Sequence, residues 1–474
     1  MNRRNSTAGR GLRQLAGLGS LALLAACSLT PYQRPALDVP AQWQTGSAQG
    51  SNAAGPWWQR FGDAQLNTLI DAALRANNDL VAAGLRVRRA RLQAGLADVA
   101  TNPTLAASLS TNVTRNLNTD RDTKSSSASA SLALEPDLWG KFAGSRMAAQ
   151  LEAEASQADC RGAALQVAAT TATLYWKIAF LNDQLAANEA NVANAAKVLD
   201  FVRVKHDAGK VSGLDVAQAE QNLAQIQATG VTYGQQRTEA RNALTILFDR
   251  APGHPSAERP RLADDALPRV DTGLPATLLG RRPDVRAAEL RLRGALASAD
   301  ATRANMYPSF SLTGSAGSSS TELKNVLKNP TATLGIGLAL PFLNWNTMQL
   351  NVAVSENQYE EAVVNFRQKL YTAMREVEDA LSARSSLMSE AEKLTVATAQ
   401  ARRAEALSAV RYRAGATALQ LWLDAQDKLR NAEIALAQNR LNQLNNYVKL
   451  VQALGGDGDP AAPGCLSAAA GTAQ

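Results

Sequence analysis

The sequence predicts a mostly α-helical chain with a membrane β part, built from a duplicated unit of long coiled-coil helices plus four β-strands per chain. Three observations point there. The 474-residue sequence repeats itself at an offset of 205 or 206 residues. Each copy contains a long proline-free interval dominated by helix formers. Ahead of each interval lie two segments in which apolar and small polar residues alternate with period two.

The chain opens on a targeting segment. Arg3, Arg4, Arg10 and Arg13 precede an apolar run from Leu15 to Ala26 that only Ser20 interrupts. A basic stretch followed by a short apolar one is the layout of a secretory signal, and the run is too short to span a bilayer, which takes about 20 residues as a helix. "LAAC" ends at Cys27 and resembles the lipobox of bacterial lipoproteins, so residues 1–26 read as a cleaved signal peptide and Cys27 as the lipidated N-terminus. Ser28 follows, and an aspartate does not, which by the lipoprotein sorting pattern implies the outer membrane. Removing the segment leaves 45 basic against 42 acidic residues, so the net charge drops from +7 to +3 and argues no nucleic-acid partner. Cys160 and Cys465 remain, and both read as free thiols. Residues 27–62 form an extended N-terminal segment.

The repeat assigns the next boundaries. "NNDLVAAGLRVRRA" from Asn77 matches "RRPDVRAAELRLRGA" from Arg281, and Pro103 and Pro136 match Pro308 and Pro341. "VKHDAGKVSGLDVAQAE" from Val204 matches "RYRAGATALQLWLDAQ" from Arg411, pairing Gly209 with Gly415. The first repeat thus spans 63–250 and the second 283–454. Between them, 251–282 carries Pro252, Pro255, Pro260, Pro268 and Pro275 and reads as an extended strap around the outside of the helices. Residues 455–474 are rich in Gly, Ala and Pro and read as a disordered tail.

No proline occurs between Pro136 and Pro252 or between Pro341 and Pro460. Each interval reads as two helices meeting at a glycine turn, at Gly209 or Gly415. The outgoing helix has about 70 residues, roughly 100 Å, and the returning one about 35. The uncovered half of each outgoing helix needs a partner, supplied by 63–102 in the first copy and 284–307 in the second. Leu174, Ile178, Leu181, Leu185, Asn188, Val192, Ala195, Leu199 and Val202 alternate spacings of four and three, a coiled-coil seam. Val363, Phe366, Leu370, Ala373, Val377, Ala380, Arg384, Leu387, Ala391, Leu394, Thr398 and Ala401 repeat it.

The period-two segments are 104–114, 127–138, 309–317 and 331–342, close to the 9–11 residues of a membrane-spanning strand. One face is apolar, and the other is small and hydroxylated, which suits a watery lumen. The polar connectors "RNLNTDRDTKSS" and "GSSSTELKNVLKN" read as hairpin loops. Four strands cannot close a barrel, and an open edge does not survive in lipid. Several copies must pool their strands if the sheet spans.

Several motifs together carry a family resemblance: "YQRP" (32–35), "WWQRFGDAQLNTLIDAAL" (57–74), "EPDLWGK" (135–141), "GRRPDVRAAE" (280–289), "YPSFSL" (307–312), "RYRAG" (411–415) and "LDAQ" (423–426). From Cys27 to Leu454 the chain resembles a TolC-like outer-membrane efflux protein, of the lipoprotein branch that serves multidrug pumps of the resistance–nodulation–division type. The resemblance implies a homotrimer whose four strands per protomer form a 12-stranded outer-membrane barrel, continued by a periplasmic helical barrel. It implies a periplasmic adaptor, an inner-membrane pump and outer-membrane lipid as partners, and a passive exit duct as function. It also implies a periplasmic gate at Asp424, Gln420 and Leu423. Adaptor-docking tips are implied at Gly209, Lys205 and Lys210 and at Gly415, Arg411 and Arg413. Two departures stand out: Leu421 occupies a position where relatives often carry a second acid, and "FLNWNT" from Phe342 replaces a stretch like "FDGGR".

An enzyme is not expected. The only histidines are His206 and His254, and no phosphate loop, nucleophile elbow or metal-ligand spacing is present, so no cofactor is assigned. Two rivals use the same helices: an exit duct for secreted peptides or proteins, and a lipid-anchored structural tether. The tether has no use for alternating strands.

Overall fold

The computed structural model describes residues 30–45, 56–456 except 256, 263, 265, 271 and 274, and residue 465. The signal peptide and Cys27 lie outside the described residues. In chain order the elements are α1 (Ala64–Ala76), α2 (Asn78–Val99), β1 (Thr104–Asn116), β2 (Arg121–Leu134), α3 (Lys141–Asp207), α4 (Gly213–Ile246), α5 (Pro283–Ala304), β3 (Ser309–Ser320), β4 (Pro330–Ala339), α6 (Trp345–Arg413) and α7 (Leu419–Ala453). The outgoing helices have 67 and 69 residues and the returning ones 34 and 35. The chain divides into two compact units, one made of 30–37, Arg88–Ser156 and Ala287–Arg367, the other of the remaining described residues.

The first unit carries an antiparallel sheet of order β1-β2-β3-β4. Its register sorts the side chains by face. Leu105, Leu132, Gly314 and Leu334 share a row, as do Ala107, Ala130, Ala316 and Ala332, and Leu134, Leu312 and Ile336. The opposite face carries rows such as Ala106, Ser131, Ser315 and Thr333. There Ser108 and Ser129, and Ser110 and Ser127, are hydrogen-bonded across the strands at 2.8 Å. The apolar face is bare: Leu105 is 77%, Leu334 92% and Ile336 79% exposed. Among the described residues, β1 and β4 each have one unpaired edge.

The strands outrun their expected ends toward the loops. Pairing continues through Val113↔Lys124 and Arg115↔Asp122, where opposite charges face each other, and only 117–120 turns. At the other end β2 and β4 stop at Leu134 and Ala339, short of the expected 138 and 342. Pro136 and Pro341 lack the N–H that would continue a ladder. The "YQRP" stretch lies along α5: Arg34 donates to Glu289 at 2.8 Å, and Thr30 donates twice to Asp300 at 2.8 Å.

In the second unit, the partner segment expected over 63–102 is divided at Asn77, whose backbone N–H closes α1 on Ala73 while its side chain accepts from the Leu80 N–H to open α2. The seam residues Ile178, Leu181, Asn188, Ala195, Leu199, Val202, Leu370, Ala373, Val377, Ala380 and Thr398 are buried. Asp63 caps α1 through the N–H groups of Gln65 and Leu66 and accepts from Tyr175 at 2.9 Å and Arg259 at 3.1 Å. The strap is fastened beside it. Arg241 grips Glu258 at 2.5 and 2.7 Å, and Asn182 donates to the Arg259 carbonyl. Burial disfavours the Glu258 charge, but Arg241 and Asn182 outweigh it and hold the carboxyl below its ordinary value. The strap is not extended throughout: Pro275–Thr277 form a 3-10 turn and Leu278–Arg281 a helical turn.

The "GRRPD" motif closes the second unit. Arg282, 7% exposed, donates to the Ala453 carbonyl at 3.0 Å, forks onto Asp284 at 3.0 and 2.8 Å and reaches Glu376 at 2.8 Å. Burial works against the Asp284 charge, yet Arg282, with Lys369 at 3.3 Å, keeps the carboxyl below its ordinary range. One expectation is overturned next to this clasp. Cys160 and Cys465 are not free thiols: they form a disulfide with Cα atoms 6.0 Å apart, both residues buried. Cys465 is therefore held on α3, although most of 455–474 lies outside the described residues. The reading failed because three cysteines far apart in sequence reveal nothing of their distance in space.

The bridge closes a loop across 305 positions. A denatured chain should migrate faster without reductant than with it, and Cys160→Ser should abolish that difference. The same substitution should lower stability by about 2–5 kcal/mol, read as a lower unfolding midpoint under oxidising conditions only.

Candidate functional site

The residues singled out for docking and gating lie in the second unit, at the two helical turns. The α3–α4 turn is a Schellman motif. Gly209, at φ 69°, donates to the His206 carbonyl at 2.8 Å, and Lys210 donates back to Lys205 at 2.9 Å. The α6–α7 turn repeats it at Gly415, φ 75°, with Gly415 on Tyr412 at 3.0 Å and Ala416 on Arg411 at 2.9 Å. These two glycines are required by backbone sign alone. Ser212 and Asp215 then form a capping box that starts α4. α7 starts at Ala418 without a side-chain cap.

One apolar cluster joins the turns of both copies. Val198, Leu199 and Val202 of α3, Ala219 of α4, Ala409 and Tyr412 of α6, and Leu419, Trp422 and Leu423 of α7 pack together. Cations sit on its aromatic rim. The Lys205 ammonium lies 4.7 Å from the Phe201 ring and 4.6 Å from the Tyr412 ring, and Arg413 stacks on Trp422 at 5.8 Å. Lys205 is half-buried on these rings, whereas Lys210, Arg411 and Arg413 are exposed, Arg413 lying over the Trp422 ring.

The three gate candidates separate. Gln420 is exposed and donates to Asp424 at 2.6 Å, and Asp424 is half-buried. Leu423 is 4% exposed and belongs to the cluster, so within one chain it packs behind the polar pair. Leu421, the departure from the family pattern, is 59% exposed. The sequence reading missed two supports of this helix. Trp422 donates through its indole N–H to Glu405 at 2.9 Å across the turn. Arg430 pairs with Asp427 and donates to Asn222 of α4 at 3.2 Å, tying the two returning helices together. Such partners lie 17 and 208 positions apart, and no local pattern announces them.

Gly415→Ala forces a side chain into left-handed backbone, a strain of about 1 kcal/mol. Amide exchange at Ala416, whose N–H closes the motif, should quicken about fivefold, while the sheet amides keep their rates.

Known proteins extend this picture. Residues 69–248 and 274–456 match the family described as outer membrane efflux protein. The pyoverdine export outer membrane protein OpmQ of Pseudomonas aeruginosa is 32% identical over 462 residues, covering 94% of this chain and 97% of OpmQ. The toluene efflux pump outer membrane protein TtgI of Pseudomonas putida is 31% identical over 454 residues, covering 92% and 97%. Among solved structures, the open state of the Neisseria gonorrhoeae outer membrane channel MtrE superposes with a TM-score of 0.80 at 27% identity, covering 91% of this chain and 98% of MtrE. A duplicated helical unit, a four-stranded sheet with one bare apolar face, and near full-length similarity to efflux channels agree: the chain belongs to the TolC-like outer membrane efflux protein family.

Proposed function

We propose that three copies of this chain form the passive exit duct of a tripartite efflux system, carrying small molecules from periplasm to exterior. The sheet carries the reading: its apolar face is exposed, its other face is small and hydroxylated, and both edges are unpaired. Lipid covers the first face and water the second. The β1 edge of one copy pairs with the β4 edge of the next, so three copies close 12 strands and leave no edge in hydrocarbon. The helices continue into the periplasm, where an adaptor and an inner-membrane pump engage them. The chain is a transport component, not an enzyme. Pyoverdine and toluene in the names of OpmQ and TtgI favour small cargo over secreted protein.

The finer assignments belong to the same reading. Residues 1–26 direct export and Cys27 takes a lipid, placing the chain in the lipoprotein branch. The strap belts the helices from outside. Adaptor hairpins dock beside Gly209, Lys205 and Lys210 and beside Gly415, Arg411 and Arg413. The gate is a ring of three Asp424 carboxylates, each buttressed by Gln420 and backed by Leu423. Three like charges near one axis repel or attract a cation, and a carboxylate ring favours cations in conductance. Opening moves α7 away from the axis and needs no chemistry in this chain.

Asp424→Ala should raise single-channel conductance in planar bilayers and weaken cation preference; a variant matching wild type in both would remove Asp424 from the gate. Cys27→Ser should abolish labelling by radioactive fatty acid while the crosslinked trimer persists. Strong residual labelling would place the lipid elsewhere.

A further inference from the structure

The two returning helices end on the same kind of joint, and one of the joints is cross-linked. At the end of α4 the Asn77 side chain donates to the Leu247 carbonyl at 3.4 Å, and Asn78 donates to Asp249 at 2.6 Å. At the end of α7, Arg282, 205 positions after Asn77, donates to the Ala453 carbonyl at 3.0 Å. There the chain leaves through Gly455 and Gly456, whose N–H groups close on the Gln452 and Val451 carbonyls at 2.9 Å. Gly455, at φ 88°, sits so close to Arg281 that a Cβ would lie 2.6 Å from its carbonyl oxygen. After eight more residues comes Cys465, bonded to Cys160 of α3.

The bond joins two helical hairpins at the end remote from their turns. α7 belongs with α6, because Asn446 and Asn439 donate to the Ala380 and Leu387 carbonyls at 2.9 and 3.1 Å. α3 belongs with α4, through Arg203 on Glu220 at 2.7 Å and Arg237 on Asn182 at 3.2 Å. Near the turns the hairpins meet in the apolar cluster and through Arg430 and Asn222. At the far end a polar cleft of about 690 Å³, lined by Asp159, Gly162, Arg375, Asp379, Asn446 and Lys449, separates α3 from α6 and α7. Gln452 donates to Gln166 across it at 3.0 Å, an exposed contact. An exposed hydrogen bond trades readily with water, whereas the disulfide holds for as long as it stays oxidised.

We infer that the Cys160–Cys465 disulfide is a redox-dependent pivot: it fixes the two hairpins to each other at one end, so that α7 and Asp424 leave the closed position by rotation about it. Asp424 lies 29 residues before Ala453, about 44 Å along the helix, so a tilt of about 10° carries it about 8 Å. Closing the bond passes two electrons and two protons from the two thiols to a disulfide-bearing oxidant, which leaves as a dithiol. The thiols meet once α7 and the segment after it are docked on α3, so the bond forms on the folded chain. Both residues are buried, which keeps the pivot closed in an oxidising compartment. The inference rests on the reading of Asp424 as the gate.

The test uses the full-length protein. In a Cys160→Ser, Cys465→Ser double variant the Gly455 and Gly456 amides should exchange about tenfold faster, while the Leu247 and Phe248 amides at the end of α4 keep their rates. In planar bilayers the closed dwell times of the same variant should shorten severalfold. Wild type treated with a phosphine, which takes up one water per bridge to give two thiols and a phosphine oxide, should behave as the variant does. Reoxidation should restore it, which separates the pivot from any folding defect of the variant. Exchange at Gly455 and Gly456 equal to wild type after either treatment would overturn the pivot. Faster exchange with unchanged dwell times would overturn it too, and would leave the bridge a staple with no part in gating. Asp424→Ala separates the two readings. Altered conductance there beside unchanged dwell times in the serine variant rejects the pivot and keeps the gate, whereas no change in either rejects both.

Discussion

A strand edge in hydrocarbon has nowhere to send its N–H and C=O groups, and each one left there costs several kcal/mol. That constraint organises this protein. Its sheet has two such edges and a face on which Leu334 and Ile336 are almost fully bare. Such an edge is tolerated in lipid only when it is paired, and such a face is favourable only where an apolar environment covers it. The opposite face keeps small serine and threonine rows that hydrogen-bond across strands, as Ser108 does with Ser129.

Duplication supplies the second organising element, and the copies have diverged at the start of the returning helix. Both copies keep the same turn chemistry, because a Schellman closure needs left-handed backbone at Gly209 and Gly415 alike. They differ in how the returning helix begins. After Gly209 a capping box pins α4, whereas α7 begins uncapped at Ala418 and is held by Trp422, Leu423 and Arg430. A helix start secured by side-chain packing rather than by its own cap is free to reposition when that packing changes. The helix with the uncapped start is the one that bears Asp424.

The clasp around Arg282 shows how the second unit holds its parts. A guanidinium with five donors in a fixed fork can serve two carboxylates and a carbonyl at once. Arg282 does so with Asp284, Glu376 and Ala453, joining the end of the strap, α6 and the end of α7. Burying such a charge is costly unless every donor is matched, so the motif tolerates no partial replacement. The Cys160–Cys465 bridge sits beside it and adds a covalent tie between α3 and a residue beyond α7.

Much of this was legible in the residues themselves. Periodicity of 3.5 and of 2 is a local property, so helix lengths, the seams and the two sheet faces could be read from side-chain spacing alone. The glycine turns were legible for the same reason, since handedness of the backbone is decided residue by residue. Other features lie between residues far apart in the chain and have no local signature. The break at Asn77, the extra strand pairs beside the β1–β2 turn, the Trp422–Glu405 bond and the burial of Leu423 depend on which surfaces meet. The disulfide is the sharpest case: two cysteines 305 positions apart carry no information about their separation in space until the helix and the C-terminal segment are folded together. Sequence determined the elements and their repetition, because these arise from local sterics and burial patterns; only the tertiary structure decided the cross-links, because those depend on distances that chain order does not encode.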